Sequence, residues 1–280
     1  MKGSDRRTTD REEGMDITVT SIMGGPDIGL VPHWLAHYRG LGLDRFVVVV
    51  NDPVRAEDYG RCLAAEGVEP AYYLDELFYK DEINERTRLC EATKSQWILQ
   101  ADLDELVVFD RHLEVLLEDC VAGGYPVVPG RCIDHLQDEG HLVEVQAEPS
   151  LWQQFPIMHP ITNYVRSGDT TKMVLRQRYF PVTSGNHVDE SCMTDCYPAW
   201  QEVHHFRWTA ATVPSMKHTL EVWPDCTCRY QLQNVLNFLG DPPRLDLDRL
   251  RELAPFLDSS QTLLEKWLEG QGIVKGGGCF

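Results

Sequence analysis

Three carboxylates in four positions, Asp102, Asp104 and Glu105, stand inside an otherwise apolar stretch, WILQADLDELVVF, Trp97 to Phe109. Apolar residues on both sides mark the buried backbone of a central strand. In extended chain, residues two apart share a face, so Asp102 and Asp104 are expected to look the same way and Leu103 back into the core. Two carboxylates held side by side repel, and each is costly to bury unpaired. A divalent cation resolves both problems. Hard oxygen ligands suit Mg²⁺ or Mn²⁺, which take one or two carboxylates, several waters and the phosphates of a substrate. Glu105 is expected behind the pair, supporting it.

The elements that must hold this pair follow from the surrounding pattern. Residues 1–14 are charged and lack apolar periodicity, a disordered tail. Asp16 to Met23 alternates and is β-branched, a first strand. Gly24-Gly25-Pro26-Asp27 is a turn, with Asp27 placed to cap a helix from Ile28 to Tyr38. Phe46-Val47-Val48-Val49-Val50 is apolar at every position, as a parallel strand covered on both faces should be. A helix from Arg55 to Glu66, a strand from Pro70 to Leu74 and an amphipathic stretch from Leu77 to Lys94 continue the alternation. A helix from His112 to Val121 and a strand from Pro126 through Asp134 follow. Alternating β and α imply a mainly parallel sheet, whose ligands collect at the carboxyl ends of strands where the strand order switches. Met23, Asn51 and Asp102 all fall at expected strand ends, so they can meet in one crevice.

Two further stretches complete a resemblance. W-x-L-x-x-D-x-D-E-L resembles the metal and nucleotide-sugar motif of GT-A-type glycosyltransferases, in the family 2 / family 92 (DUF23-like) group. Trp34 to Asp52, W-L-A-H-Y-R-G-L-G-L-D-R-F-V-V-V-V-N-D, is similar to a second stretch of that group. Thr170 to Arg176, the Gly185-Asn186-His187 loop, His204-His205-Phe206-Arg207-Trp208 and Lys217 are similar, in order, to its carboxyl-terminal series. The group's Asn-Glu pair after strand one is replaced here by Met23-Gly24-Gly25.

The resemblance implies a GT-A-like α/β fold, a mainly parallel (mixed) sheet flanked by helices. It spans residues 15–220, with a helical extension over 221–280 built on helices from Cys228 to Leu239 and Asp246 to Leu268. It implies transfer of a sugar from a UDP-, GDP- or dTDP-sugar to a glycan or small-molecule acceptor hydroxyl, metal-dependent and inverting. Met23, Asn51 and Asp52 would lie near the nucleotide, with Arg88, Asp102 and Lys172. Asp102, Asp104, His187 and His205 would hold Mn²⁺ or Mg²⁺. An inverting reaction needs a base for the acceptor hydroxyl, and Asp189, Glu190 and Asp134 are the candidates. Lys172, Arg176, Arg207 and Lys217 could offset phosphate charge. The rival functions are a metal-dependent nucleotidyltransferase or phosphohydrolase, and a non-catalytic glycan-binding relative.

Composition bounds the partners. A net charge of −18 argues against nucleic acid. No apolar run is long enough to span a bilayer, and the polar amino terminus lacks an export signal, so a cytoplasmic protein is expected. The nine cysteines then read as reduced thiols. Cys192, Cys196, Cys226 and Cys228, with His204 and His205 between them, are a weaker candidate for zinc. His33 and His37, four apart on the first helix, lack the Glu of a zinc protease motif and read as packing residues.

Overall fold

The computed structural model describes residues 16–75, 81–166, 168–181, 183–187, 195–226, 228–258 and 262–263. Strands β1 (Ile17–Met23), β2 (Phe46–Val50), β3 (Tyr72–Tyr73) and β4 (Trp97–Gln100) run parallel, with β1 between β2 and β4. Every residue of β1 and β4 is buried, so both strands are covered on both faces and carry no charged side chain. Helices α1 (Leu30–Gly40), α2 (Ala56–Ala65) and α3 (Glu82–Glu91) connect them.

The stretch from Trp97 to Phe109 departs from expectation. It is not one strand: β4 ends at Gln100, the chain turns through Asp102 to Asp104, and β5 (Glu105–Val108) leaves for the far edge of the sheet. The Glu105 amide closes the turn on the Asp102 carbonyl at 3.0 Å. The alternation rule therefore does not govern the two aspartates, and they face different partners. Leu103 between them is 7% exposed and packs inward, as expected.

Helix α4 (Leu113–Gly123) is closed by Gly124 at φ 71°, a left-handed cap that a Cβ would strain. Strands β6 (Val127–Leu136), β7 (Ile157–His159), β8 (Thr171–Gln177) and β9 (Gln201–His205) complete the sheet, with the short α5 (Leu151–Gln154) before β7. The order is β3-β2-β1-β4-β8-β6-β9-β5, with β7 on β6. Strand β8 is antiparallel to β4 and β6, β9 is parallel to β6, and β5 is antiparallel to β9. The result is a mixed α/β sheet, parallel in its first half, flanked by helices.

Helix α1 begins two residues later than expected, and the Asp27 side chain bonds Thr209 instead of capping it. Its buried stripe, Leu30, Val31, Trp34, Leu35 and Tyr38, packs on the sheet. The polar tips of that stripe reach the Asp102–Glu105 turn. Trp34 Nε1 donates to the Asp102 carbonyl at 3.1 Å, and the Tyr38 hydroxyl to the Glu105 carbonyl at 3.0 Å. The first helix thus fixes the backbone that carries the carboxylates.

Helices α6 (Thr212–Val222), α7 (Arg229–Leu239) and α8 (Leu247–Leu253) bury a second apolar cluster. It joins Trp208, Met216, Leu232, Val235 and Leu250 to Leu136 and Ile161. The expected helix from Asp246 stops at Leu253, because Ala254 precedes Pro255 and is extended (φ −157°, ψ 152°). No helix among the described residues is long and apolar enough to cross a membrane.

Candidate functional site

Parallel pairing brings three strand ends together. Met23 pairs with Val50, and Thr20 with Gln100, so the chain leaves β1, β2 and β4 on one side of the sheet. The Asn51 amide donates to the Met23 carbonyl at 2.7 Å. A Cβ on Gly24 would lie 2.4 Å from the Asn51 carbonyl oxygen, so this close approach requires glycine. Met23 is fully buried. The Asp52 carboxylate accepts the amides of Gly25, Val54 and Arg55 and pairs with the Arg55 guanidinium at 3.1 Å. Those bonds give Asp52 the role of holding the loop between β2 and α2.

Asp102 lies between two cations. Arg86 Nη2 is 3.2 Å from one carboxylate oxygen and Lys172 Nζ is 3.4 Å from the other. Lys172 also contacts Glu105 at 2.7 Å, and Glu105 accepts the Asp102 amide at 3.2 Å. Burial alone would raise the Asp102 pKa, but the charges of Arg86 and Lys172 outweigh it and hold the carboxyl well below the usual range. Lys172 is opposed by burial and held in its charged form by Glu105 and Asp102. Glu105 therefore supports the turn from behind, as expected.

Asp104 has a different partner. Its Oδ2 is 3.2 Å from His205 Nε2, and His205 Nδ1 is 2.8 Å from Asp134 Oδ1. With a carboxylate at each ring nitrogen, both nitrogens carry protons and the ring is an imidazolium. Burial pushes against that charge, but Asp104 and Asp134 overcome it and raise the His205 pKa to about 9. Asp134 is fully buried and also accepts from Thr162 N, Thr162 Oγ1 and Trp208 Nε1 at 2.8, 2.9 and 3.1 Å. Saturated and sealed from solvent, it cannot take a proton from an acceptor. This corrects its reading as a base and makes it the residue that positions His205.

The four expected metal ligands do not assemble. Among the described residues no three His, Cys, Asp or Glu side chains are grouped to share an ion. His205 has both nitrogens committed, and both oxygens of Asp102 face cations. His187 lies beside Lys172: its Nδ1 meets the Thr171 carbonyl at 2.6 Å, while Lys172 Nζ donates to the Gly185 carbonyl at 3.0 Å. Burial first, then the Lys172 charge, lowers the His187 pKa. The donor set fits a more modest arrangement. The Asp104 side chain is 27% exposed, and its second oxygen has no hydrogen-bond partner among the described residues. One such carboxylate suits Mg²⁺ or Mn²⁺ when substrate phosphates and water supply the remaining oxygens.

Other expectations resolve individually. Arg88 is 57% exposed, pairs with Glu85 at 3.7 Å and covers the Tyr72 ring, so it lies outside the site. Arg86, two residues earlier, is the arginine of α3 that enters it. Arg176 is fully buried and bonds the Phe180 carbonyl at 2.7 Å and the Cys90 sulfur, away from Asp102. Lys217 is exposed on α6. Asp189, Glu190 and Cys192 lie outside the described residues. Cys196 packs with Val127 and Met173, whereas Cys226 and Cys228 belong to the helical cluster, so these cysteines do not form one zinc site. His33 and His37 bond separate carbonyls, Gln146 and Val107, as packing residues do.

One carboxylate of the site went unread in the sequence. Both oxygens of Asp27 accept from Thr209 Oγ1, at 2.9 and 2.8 Å. Burial raises its pKa to about 6, with Thr209 opposing and the Asp104 charge adding. A lone aspartate in a Gly-Pro turn gives no sign of this, since Thr209 lies 182 residues away.

No known protein-family profile and no curated protein sequence matches the chain. Solved structures with a related course of chain include S. aureus TarS, at 10% identity and TM-score 0.37, covering 80% of this chain. This chain spans only 43% of the TarS chain. The inositol-1-phosphate CTP transferase from T. maritima aligns at 11% identity and TM-score 0.36, over 75% of this chain and 96% of that one. CMP:2-keto-3-deoxy-manno-octonic acid synthetase, complexed with CTP, aligns at 11% identity and TM-score 0.36, over 74% and 98%. At these values the likenesses establish neither a family nor an activity.

Proposed function

We propose that this protein is a GT-A-like glycosyltransferase that moves a sugar from a nucleotide-sugar to an acceptor hydroxyl, with a divalent cation and with inversion. The observation that carries this reading is the Asp102–Asp104 turn at the carboxyl end of β4, beside the ends of β1 and β2, with Arg86 and Lys172 converging on it. Crevices of this kind, at the carboxyl ends of parallel strands, are where such sheets bind nucleotides.

Asp104 is the residue that would hold the ion, through its uncommitted oxygen. The ion, when bound, neutralises the leaving diphosphate. The chain's own residues supply the rest. His205, fixed by Asp134, keeps Asp104 ionised and aimed. Arg86 and Lys172 keep Asp102 ionised and bring positive charge to the seat of the diphosphate. The close approach of Gly24 to the Asn51 carbonyl holds the β1 and β2 ends together beside the turn. For the base, Asp189 and Glu190 remain candidates. Among the described carboxylates, Asp27 has a pKa of about 6, suited to accepting a proton near neutrality.

The test is to supply UDP-, GDP- and dTDP-sugars with Mn²⁺ and a panel of hydroxyl acceptors, and to analyse products by mass spectrometry. A new glycoside and a free nucleoside diphosphate are expected. Pyrophosphate released from a nucleoside triphosphate and a sugar phosphate, without glycoside, would replace this reading with nucleotidyl transfer.

A further inference from the structure

Two sulfurs are held in contact where α6 gives way to α7. The Cys228 thiol donates to Cys226 Sγ, with the sulfurs 3.3 Å apart. Cys226 is 4% exposed and packs in the cluster of Trp208, Leu232 and Val235, whereas Cys228 is half-buried at the edge of that cluster. Hydrogen bonds fix the backbone of both residues. The Cys226 amide donates to the Trp223 carbonyl at 3.1 Å, and its carbonyl accepts from the Arg229 amide at 3.0 Å. The Cys228 carbonyl accepts from the Leu232 amide at 3.0 Å, the bond that opens α7.

Among the described residues no third His, Cys, Asp or Glu joins the two sulfurs in a group that could hold an ion. Cys196 packs with Val127 and Met173, and His204 and His205 are bonded to His135, Asp104 and Asp134. What remains is a dithiol. A disulfide bond is about 2.05 Å long, so these sulfurs need to close by only on the order of 1 Å to form one.

We infer that Cys226 and Cys228 form a reversible disulfide by exchange with small-molecule disulfides. The order of events follows from exposure: Cys228 is reached first and Cys226 resolves. The Cys228 thiolate attacks one sulfur of R–S–S–R, whose S–S bond breaks and releases RS⁻. Cys226 then gives up its proton to solvent, bonds Cys228 Sγ and expels the second RS⁻. Each RS⁻ takes up a proton, so two protein thiols are oxidised while one disulfide is reduced to two thiols. Burial, then the Cys226 thiol, raise the Cys228 pKa, so exchange is slow at neutral pH and quickens as pH rises.

The test incubates the full chain with oxidised and reduced glutathione at about pH 8.5, then alkylates free thiols and maps tryptic peptides. Cleavage after Lys217 and Arg229 yields one peptide, His218 to Arg229, that holds both cysteines and no others. In wild type this peptide is expected to be two hydrogens lighter than its reduced form, and dithiothreitol is expected to restore it. In Cys226→Ser it should instead carry a glutathione adduct on Cys228, since no second thiol resolves it. In Cys228→Ser the buried Cys226 should stay reduced. The ratio of disulfide to dithiol should be about tenfold higher in native than in urea-unfolded wild type, because the fold supplies the contact. A wild-type peptide that stays reduced, or that ends as a glutathione adduct, overturns the inference. An equal or lower ratio in the native protein also overturns it, because pairing would then not depend on the fold. An adduct on Cys226 of Cys228→Ser, with none on Cys228 of Cys226→Ser, overturns the order of attack. The wild-type measurements decide the pairing even if a serine variant fails to fold.

Discussion

His205 Nε2 lies 3.2 Å from Asp104 Oδ2, and this contact carries a positive charge into the site at neutral pH. Substituting His205 by Gln leaves the fully buried Asp134, and Asp104 beside it, without their cation. The expected cost is roughly 3–5 kcal/mol, read by urea denaturation. The accompanying pH dependence has a definite sign. A base whose pKa rises on folding, from 6.5 to about 9, contributes fully below 6.5 and loses its contribution as pH approaches 9. Wild type should lose stability across that interval more steeply than His205→Gln. Identical slopes would remove the imidazolium assignment.

Lys172 holds Glu105 at 2.7 Å and Asp102 at 3.4 Å, and Lys172 and Glu105 are both nearly sealed from solvent. Lys172→Met should therefore destabilise strongly, by roughly 3–5 kcal/mol, because it strands Glu105. The double variant Lys172→Met/Glu105→Gln should recover much of that loss. A double variant no better than the single would show that the pair is not coupled.

Asp27 gives a signature of the same sign as His205, in a lower pH window. A carboxylate raised on folding from 3.8 to about 6 is a burden once ionised, and stability falls as pH rises through that window. Asp27→Asn should stabilise the fold by roughly 1–3 kcal/mol at pH 7.5 and have little effect at pH 4. If Asp27 is the base, the same variant should also cut kcat by about a hundredfold or more. Wild-type turnover in a stabilised variant would leave Asp27 a structural residue.

Three histidines set acid lability. His37, His135 and His204 are buried and neutral. Burial lowers their pKa values, to about 4 for His37 and about 3 for His204. Bases depressed on folding contribute above the unfolded pKa of 6.5 and lose that contribution as pH falls. The melting temperature should decline progressively below pH 6.5, and His204→Gln should flatten the decline. An acid limb unchanged by that substitution would place the lability elsewhere.

The parallel half of the sheet was legible because its signals are local. Four valines in a row after Phe46 can only be a strand covered on both faces, and β1 and β4 share that character. The turn at Asp102 was not, since Trp97 to Phe109 keeps an apolar run on both sides of it, and only long-range pairing sends β5 to β9 while β4 joins β1. Arg86 was readable after the fact. Arg86, Leu89 and Cys90 form an i, i+3, i+4 stripe that is buried, which places Arg88 on the outer face. The His205–Asp134 contact could not be read, because it depends on the register of two strands 71 residues apart.

The proposed hold of Asp104 on a divalent cation is the point on which the sugar-transfer proposal stands. It is tested most directly by titrating UDP into wild type and Asp104→Asn, with and without Mn²⁺. Wild type should bind UDP tightly only when Mn²⁺ is present, and Asp104→Asn should lose that dependence along with at least about tenfold in affinity while staying folded. Equal, Mn²⁺-dependent binding in both proteins would contradict the assignment, as would no UDP binding by either.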